Sequence, residues 1–221
     1  MIRTAVVDDH KLFRKALSRL IAGFDGVEVV LEAENGRDLL DQLKTVAIDF
    51  LLIDLQMPEL DGFEACKIVR DRYPLVKIIV ISQLATKEAI HRIMDLDLHG
   101  YFSKNSDPDQ LKEAFKSILE KDFYFGKELG NIIKQALLWE RNKGINKNNN
   151  STKLSDREIQ IIKLACQEYS SVEIAEKLFL SARTVEAHRK RIMEKTDSRN
   201  FIGVALYALK NELFTINELQ I

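Results

Sequence analysis

The feature that most constrains this chain is an alternation of two periodicities along its first half. Five short runs, "RTAVVDD" (3–9), "VEVVLEA" (27–33), "DFLLIDL" (49–55), "KIIVIS" (77–82) and "GYFSK" (100–104), are separated by segments whose apolar residues recur at helical spacing. In "LFRKALSRLI", Leu12, Phe13, Ala16, Leu17 and Leu20 fall on one stripe. Strands that are apolar on both faces and alternate with helices predict βαβ units and a parallel sheet covered on both sides. Five strands alternating with five helices is the flavodoxin-like, doubly wound α/β arrangement. Asp107 and Pro108 provide an N-cap and a first-turn proline for the last helix of this set, "DQLKEAFKSILE".

The pattern changes after residue 122. "FYFGKELGNIIKQALLWERN" reads as helical in its second part, and "NKGINKNNNSTK" is Asn- and Lys-rich without apolar periodicity, as a flexible linker is. A second domain opens at "LSDREIQIIKLACQEY", where Ser155 and Glu158 make a capping box and Ile159, Ile162, Leu164 and Ala165 supply an apolar face. "SSVEIAEKL" follows with a second capping box, Ser170 and Glu173, then a break at Phe179-Leu180. A basic helix opened by Ser181 and a last helix, "NFIGVALYALKNEL", complete the chain. Four short helices with a tight connection between the second and third outline a small all-α helix-turn-helix domain. The expected domains are therefore 1–122, a linker over 123–152, and 153–221.

Charge supports this division. Residues 1–122 hold 17 Lys and Arg against 22 Asp and Glu, whereas residues 151–221 hold 11 against 10, so the total of −1 hides an acidic first half. Cys66 and Cys166 lie far apart with no metal-ligand spacing, and two buried thiols are expected. The N-terminus runs straight into a strand and an acidic pair without the apolar stretch of a signal peptide. No apolar run approaches the roughly 18 residues that span a bilayer. A cytoplasmic protein with no membrane partner is the expectation.

The polar residues at the strand ends carry the chemistry. Ligands of an open α/β sheet bind beyond the carboxyl ends of its strands. There the sequence places Asp8 and Asp9 after the first strand, Asp54 after the third, Ser82 at the end of the fourth and Lys104 after the fifth. Singly, each has a bland reading: an Asp after a strand is commonly a helix cap, Ser82 a turn residue, Lys104 a solvated tail. Together they converge on one rim. Three carboxylates there repel one another at low dielectric, and their all-oxygen donor set calls for Mg2+. The fitting reaction is attack of the Asp54 carboxylate on phosphorus to give an aspartyl-phosphate, with Lys104 and Ser82 donating to the phosphoryl oxygens.

"VVDD", "LLIDLQMPELDG", "VIS" and "YFSK" together resemble the receiver domain of two-component response regulators over residues 1 to about 122. The resemblance implies that Asp54 is the phosphoacceptor and that Asp8, Asp9, Asp54 and the main-chain carbonyl of Gln56 hold Mg2+. It also implies that Ser82 and Lys104 bind the phosphoryl group, with Tyr101 as an aromatic switch coupled to Ser82. Gln56 and Leu84 would flank the path of attacking water and tune the lifetime of the phosphoryl group. Asn105 departs from the proline that follows the lysine in many receivers.

"SARTVEAHRKRIMEKTDSR" carries six basic and three acidic residues. Val185 and Ile192, with His188 between them, form its inward stripe. Arg183, Glu186, Ala187, Lys190 and Glu194 share a face suited to the major groove, and Arg189 and Arg191 flank it toward phosphates. On the helix alone, a solvated charged face is an equal reading. "LSDRE", "EIA..L", "S.RTVE.H" and "I..K" resemble the LuxR-type helix-turn-helix, the output half of NarL/FixJ response regulators. That resemblance puts Glu186, Ala187 and Lys190 at base-facing positions and Thr184, His188 and Arg191 nearer the backbone. Glu168, Phe179 and Thr196-Asp197 depart from its glycine, small-residue and Leu-Gly positions. An acid at position 186 weakens non-specific DNA binding, and Glu186 is placed to pair with Lys190 four residues on.

The reading is a transcription regulator, not an enzyme: a histidine kinase phosphorylates Asp54, the chain dimerises, and paired recognition helices bind double-stranded DNA. Two rivals stand beside it. An aspartyl-nucleophile phosphatase of the haloacid dehalogenase type wants a second Asp two residues after the nucleophile, where this chain has Gln56. A phosphorylation-independent DNA-binding regulator with a vestigial receiver is the other.

Overall fold

The structure is a computed structural model that describes residues 1–83, 92, 93, 96, 98–124, 126, 130, 131, 154–167 and 169–214. The chain forms two compact units, one of Met1–Thr86 with Gly100–Phe115, the other of Lys87–His99 with Lys116–Ile221.

In the first unit β1 (Ile2–Val7), β2 (Val27–Ala33), β3 (Phe50–Ile53), β4 (Lys77–Ser82) and β5 (Gly100–Ser103) form one parallel sheet in the order β2-β1-β3-β4-β5. The helices α1 (Lys11–Ala22), α2 (Gly36–Gln42) and α3 (Gly62–Arg72) belong to it, and α4 (Pro108–Lys121) runs from it into the second unit. This is the doubly wound order of the flavodoxin-like fold, with the strand order reversing between β1 and β3. Every residue of β3 is buried, as expected of a strand covered on both faces. Phe50 stacks on Phe115 with centroids 4.8 Å apart, and Phe24 meets Phe115 edge-on at 5.6 Å. The Asp107 carboxylate accepts the Asp109 N–H at 3.0 Å, capping α4 as its Asp-Pro opening predicts. The expected linker over 123–152, the connection between β4 and β5 with Leu84, and Glu168 fall largely or wholly outside the described residues.

The α1 stripe differs from expectation. Leu12 and Ala16 are exposed, while Leu17, Ser18 and Ile21 are buried. The rotation follows from Arg14, which donates to the Asp8 carbonyl and lies 3.7 Å from Glu32, so this polar residue occupies part of the inner face.

In the second unit the described helices after α4 are α5 (Asp156–Cys166), α6 (Ser171–Leu178), α7 (Ala182–Thr196) and α8 (Phe201–Lys210). Both capping boxes form: Ser155 with Glu158 opens α5, and Ser170 with Glu173 opens α6. Ser181 caps α7 by accepting the Thr184 N–H at 3.1 Å. Cys66 and Cys166 are buried free thiols, and burial pushes both up to about 12, so neither is a thiolate at neutral pH. Among the described residues no helix is long and apolar enough to cross a membrane.

Two helix ends explain two departures noted in the sequence. Phe179 ends α6 at φ 55° and Asp197 ends α7 at φ 51°, both left-handed, where glycine is the ordinary choice. Asp tolerates that conformation better than a bulky residue does. Phe179 is also 95% exposed, so its ring returns little packing energy. Phe179→Gly is expected to raise stability by about 0.5–1 kcal/mol, the left-handed strain less the extra chain entropy of glycine. Urea unfolding of wild type and variant measures this, and a destabilised variant would show that the ring is held by contacts.

Glu158 does more than cap α5. Burial by itself raises its pKa, but the Lys195 ammonium at 2.8 Å from both its oxygens and the Ser155 donors outweigh burial and hold the carboxyl below its ordinary value. A carboxyl depressed in the folded state contributes stability that is complete above its unfolded pKa and lost as pH falls through the folded one. Stability should therefore decline below about pH 4.5. Glu158→Gln should cost about 1–2 kcal/mol at pH 7 and flatten that decline. Urea midpoints for both proteins between pH 7 and 3 test it, and parallel curves would refute it.

Candidate functional site

The parallel register lines up the strand ends. Thr4–Val7 pairs with Phe50–Ile53, and Ile79–Ser82 with Gly100–Ser103. The ladders then continue one step past the strands, because Asp54 N donates to the Val7 carbonyl at 2.9 Å and Lys104 N to the Ser82 carbonyl at 3.2 Å. Backbone bonding thus carries Asp8, Asp54, Ser82 and Lys104 to one edge.

Both Asp54 oxygens are engaged. Oδ1 accepts the Ser82 hydroxyl at 2.8 Å and the Gln56 N–H at 3.2 Å, and Oδ2 accepts the Lys104 ammonium at 2.6 Å. Lys104 also lies 2.7 Å from Asp8 Oδ2, so a single cation bridges two buried carboxylates. Its side chain is only 8% exposed, and it sits 4.9 Å from the Phe13 ring centroid. Burial acts to lower the Lys104 pKa, but the hydrogen bonds and charges of Asp54 and Asp8 prevail and raise it, so the ammonium stays charged at all ordinary pH values.

Asp8, Asp9 and Asp54, together with His10, offer ligand atoms within 4.8 Å of one another. Hard oxygen donors at that spacing fit a small divalent cation. His10 is the addition to the residues read from the sequence: its Nδ1 lies 2.8 Å from Asp9, and its main-chain N–H donates to Asp8 at 2.8 Å. Directly after two aspartates it was readable as a neighbour, but its rotamer was not. Gln56 is exposed and follows Asp54 on the rim, while Tyr101 is buried on β5 opposite Val80. Among the described residues there is no cis peptide bond, so Lys104-Asn105 is trans.

The floor of the site depends on Gly62. A Cβ built there lies 2.1 Å from the Asp54 carbonyl oxygen and 2.7 Å from the Leu55 Cα, both backbone atoms. Asp61, just before it, caps α3 by accepting the Glu64 N–H at 2.9 Å. The "LDG" turn therefore brings a helix N-terminus against the Asp54 main chain at a distance that no side chain permits.

A second polar surface lies on α7. Arg183, Glu186, Ala187, Lys190 and Arg191 are exposed, and Thr184 and His188 are half-buried. Val185 and Ile192 point inward as expected, but Arg189 joins them at 6% exposure instead of flanking the outer face. The cause is spacing: residues 185, 189, 192 and 196 form one helical stripe, and all four are buried. Glu186 does not pair with Lys190. It accepts from Ser171 and lies 3.4 Å from the Arg189 guanidinium.

Two family profiles match the chain. The response regulator receiver domain profile matches residues 4–116, and that of the bacterial regulatory proteins of the luxR family matches 152–208. The oxygen regulatory protein NreC of Staphylococcus carnosus is 29% identical over 214 residues, covering 96% of this chain and 99% of that protein. Among solved structures, the RcsB response regulator of Salmonella typhimurium is 23% identical with a TM-score of 0.57, covering 94% of this chain and 98% of that one. An RcsB–DNA complex matches at 22% identity and the same TM-score, covering 95% and 98%. A receiver match over more than half the chain, joined to a luxR-family match over most of the remainder, leaves one assignment: this chain belongs to the two-component response regulators of the NarL/FixJ type, DNA-binding transcription regulators with a LuxR-type output domain.

Proposed function

We propose that this chain is a cytoplasmic regulator switched by phosphorylation of Asp54. A carboxylate oxygen of Asp54 attacks the phosphorus of a kinase phosphohistidine, the P–O bond forms as the P–N bond breaks, and the electron pair leaves with the imidazole, which takes up a proton. Mg2+ held by Asp8, Asp9, Asp54 and the Gln56 carbonyl would neutralise charge on the transferring group. Lys104 and Ser82, already on the two Asp54 oxygens, would move with little rearrangement onto phosphoryl oxygens. Ser82 drawn toward the phosphoryl group, with Tyr101 buried one strand away, is the route by which the change reaches the surface. The modified chain would dimerise and set paired α7 helices into two half-sites of double-stranded DNA one helical turn apart.

The observation that carries this reading is the pair of short hydrogen bonds to Asp54, 2.8 Å from Ser82 and 2.6 Å from Lys104, one side-chain donor for each oxygen. Intact mass after incubation with Mg2+ and acetyl phosphate tests it. One phosphoryl group on the wild type and none on Asp54→Asn is the expected result. No gain on either protein would favour a regulator that binds DNA without phosphorylation.

A further inference from the structure

We infer that Arg189 is a positioning residue that holds Glu186 as a fixed hydrogen-bond acceptor for cytosine, so that this pair sets one base of the DNA half-site. The inference rests on the proposed DNA-binding role of α7 and adds the base it selects.

Arg189 lies on the recognition helix, yet its guanidinium does not reach toward solvent. One nitrogen donates to Ser171 Oγ at 3.1 Å and lies 3.4 Å from Glu186 Oε1, and another donates to the Lys121 carbonyl at 2.6 Å. Its planar face lies 4.7 Å from the Phe201 ring centroid and 5.8 Å from that of Phe123. A guanidinium with these partners has its donors and its planar face engaged by protein groups. Ser171, at the first position of α6, donates to the same Glu186 oxygen. Glu186 is therefore held at one end by two donors from two helices, while its side chain remains 59% exposed.

An acid on a recognition helix is costly near phosphates unless it reads a base. A carboxylate can only accept, and in the major groove the base donors are cytosine N4 and adenine N6. Adenine N6 stands beside the N7 lone pair, which repels a carboxylate, whereas cytosine offers its amino group without that neighbour. Fixing one Glu186 oxygen on Ser171 and Arg189 removes the rotamer freedom that would blur this choice.

The test uses the full chain, with and without acetyl phosphate, and a randomised double-stranded DNA library. The wild type should enrich sites with a C·G pair preferred about 10-fold at one position of each half-site. Glu186→Gln should move that preference toward A·T, since Gln pairs with adenine. Ser171→Ala and Arg189→Lys should relax it to about 2-fold, with non-specific affinity and its salt dependence unchanged. Ser171→Ala removes a partly exposed hydroxyl and keeps the test valid if an Arg189 variant folds poorly. The inference is overturned if Glu186→Gln selects wild-type sites. It is equally overturned if Arg189→Lys weakens all sequences alike and lowers the salt slope by about one, as loss of a phosphate contact does. Enrichment of no sequence by the wild type would instead overturn the DNA-binding reading itself.

Discussion

Lys104→Ala lowers the rate of phosphoryl uptake from acetyl phosphate by about 100-fold or more, the usual effect of removing a charged donor aimed at developing negative charge. Lys104 is the cation that bridges Asp8 and Asp54 at 2.7 and 2.6 Å, in a place nearly closed to water. Its loss therefore has a second consequence. Two buried carboxylates are left facing each other and Asp9 without compensation, which costs about 3–5 kcal/mol in EDTA. That corresponds to a drop in melting temperature on the order of 10 °C. Added Mg2+ should restore most of it, because a divalent cation replaces the missing charge, while phosphoryl uptake stays slow for want of the donor. Lys104→Arg should rescue neither fully, since a planar guanidinium does not fit the slot of a compact ammonium. Time courses of intact mass, and thermal unfolding in EDTA and in Mg2+, read the two effects separately. Wild-type uptake by Lys104→Ala would falsify the assignment of the ammonium to the phosphoryl group.

Gly62→Ala is the second substitution with a large expected effect. The added methyl would stand 2.1 Å from the Asp54 carbonyl oxygen and 2.7 Å from the Leu55 Cα, and neither neighbour is the mobile end of a side chain. The strand end or the start of α3 must shift. Overpacking against a fixed backbone costs about 2–4 kcal/mol. Since the residue displaced is Asp54, phosphoryl uptake should fall with stability. Gly26→Ala separates the two causes: Gly26 has φ 76° and nothing within 4 Å of a built Cβ. It should cost about 1 kcal/mol from left-handed strain and leave uptake unchanged. Urea unfolding and the mass assay on both variants decide the point. Equal effects of the two substitutions would mean that the close approach of Gly62 does not govern the site.

The parts of this protein that were legible in its sequence share a cause. Strand runs, capping boxes and the residues at strand ends are written in local patterns of two to four residues, and a parallel βαβ fold converts chain order into position with few alternatives. Asp8, Asp54, Ser82 and Lys104 are thus brought together because each ends or follows a strand whose end must lie on the same edge. Ser155 with Glu158 and Ser170 with Glu173 were readable because a capping box is complete within four residues.

What the sequence did not disclose depends on contacts between segments far apart in it. The stripe of Leu12, Phe13, Ala16, Leu17 and Leu20 placed Leu12 inside, but Arg14 turns toward Asp8 and Glu32, and Leu12 is left exposed. Charge alone sent Arg189 toward phosphates, yet Ser171, Lys121 and Phe201 supply it with two acceptors and an aromatic face. Glu186, with Lys190 four residues away, instead meets Ser171, fifteen residues back on another helix. The sequence by itself determined the order of the elements and the meeting of Asp8, Asp54, Ser82 and Lys104 at the acidic edge, since both follow from periodicity and chain direction. Only the tertiary structure decided which charges are buried and which face outward, because that depends on partners offered by other helices, and desolvation makes an ion accept burial only where such partners wait.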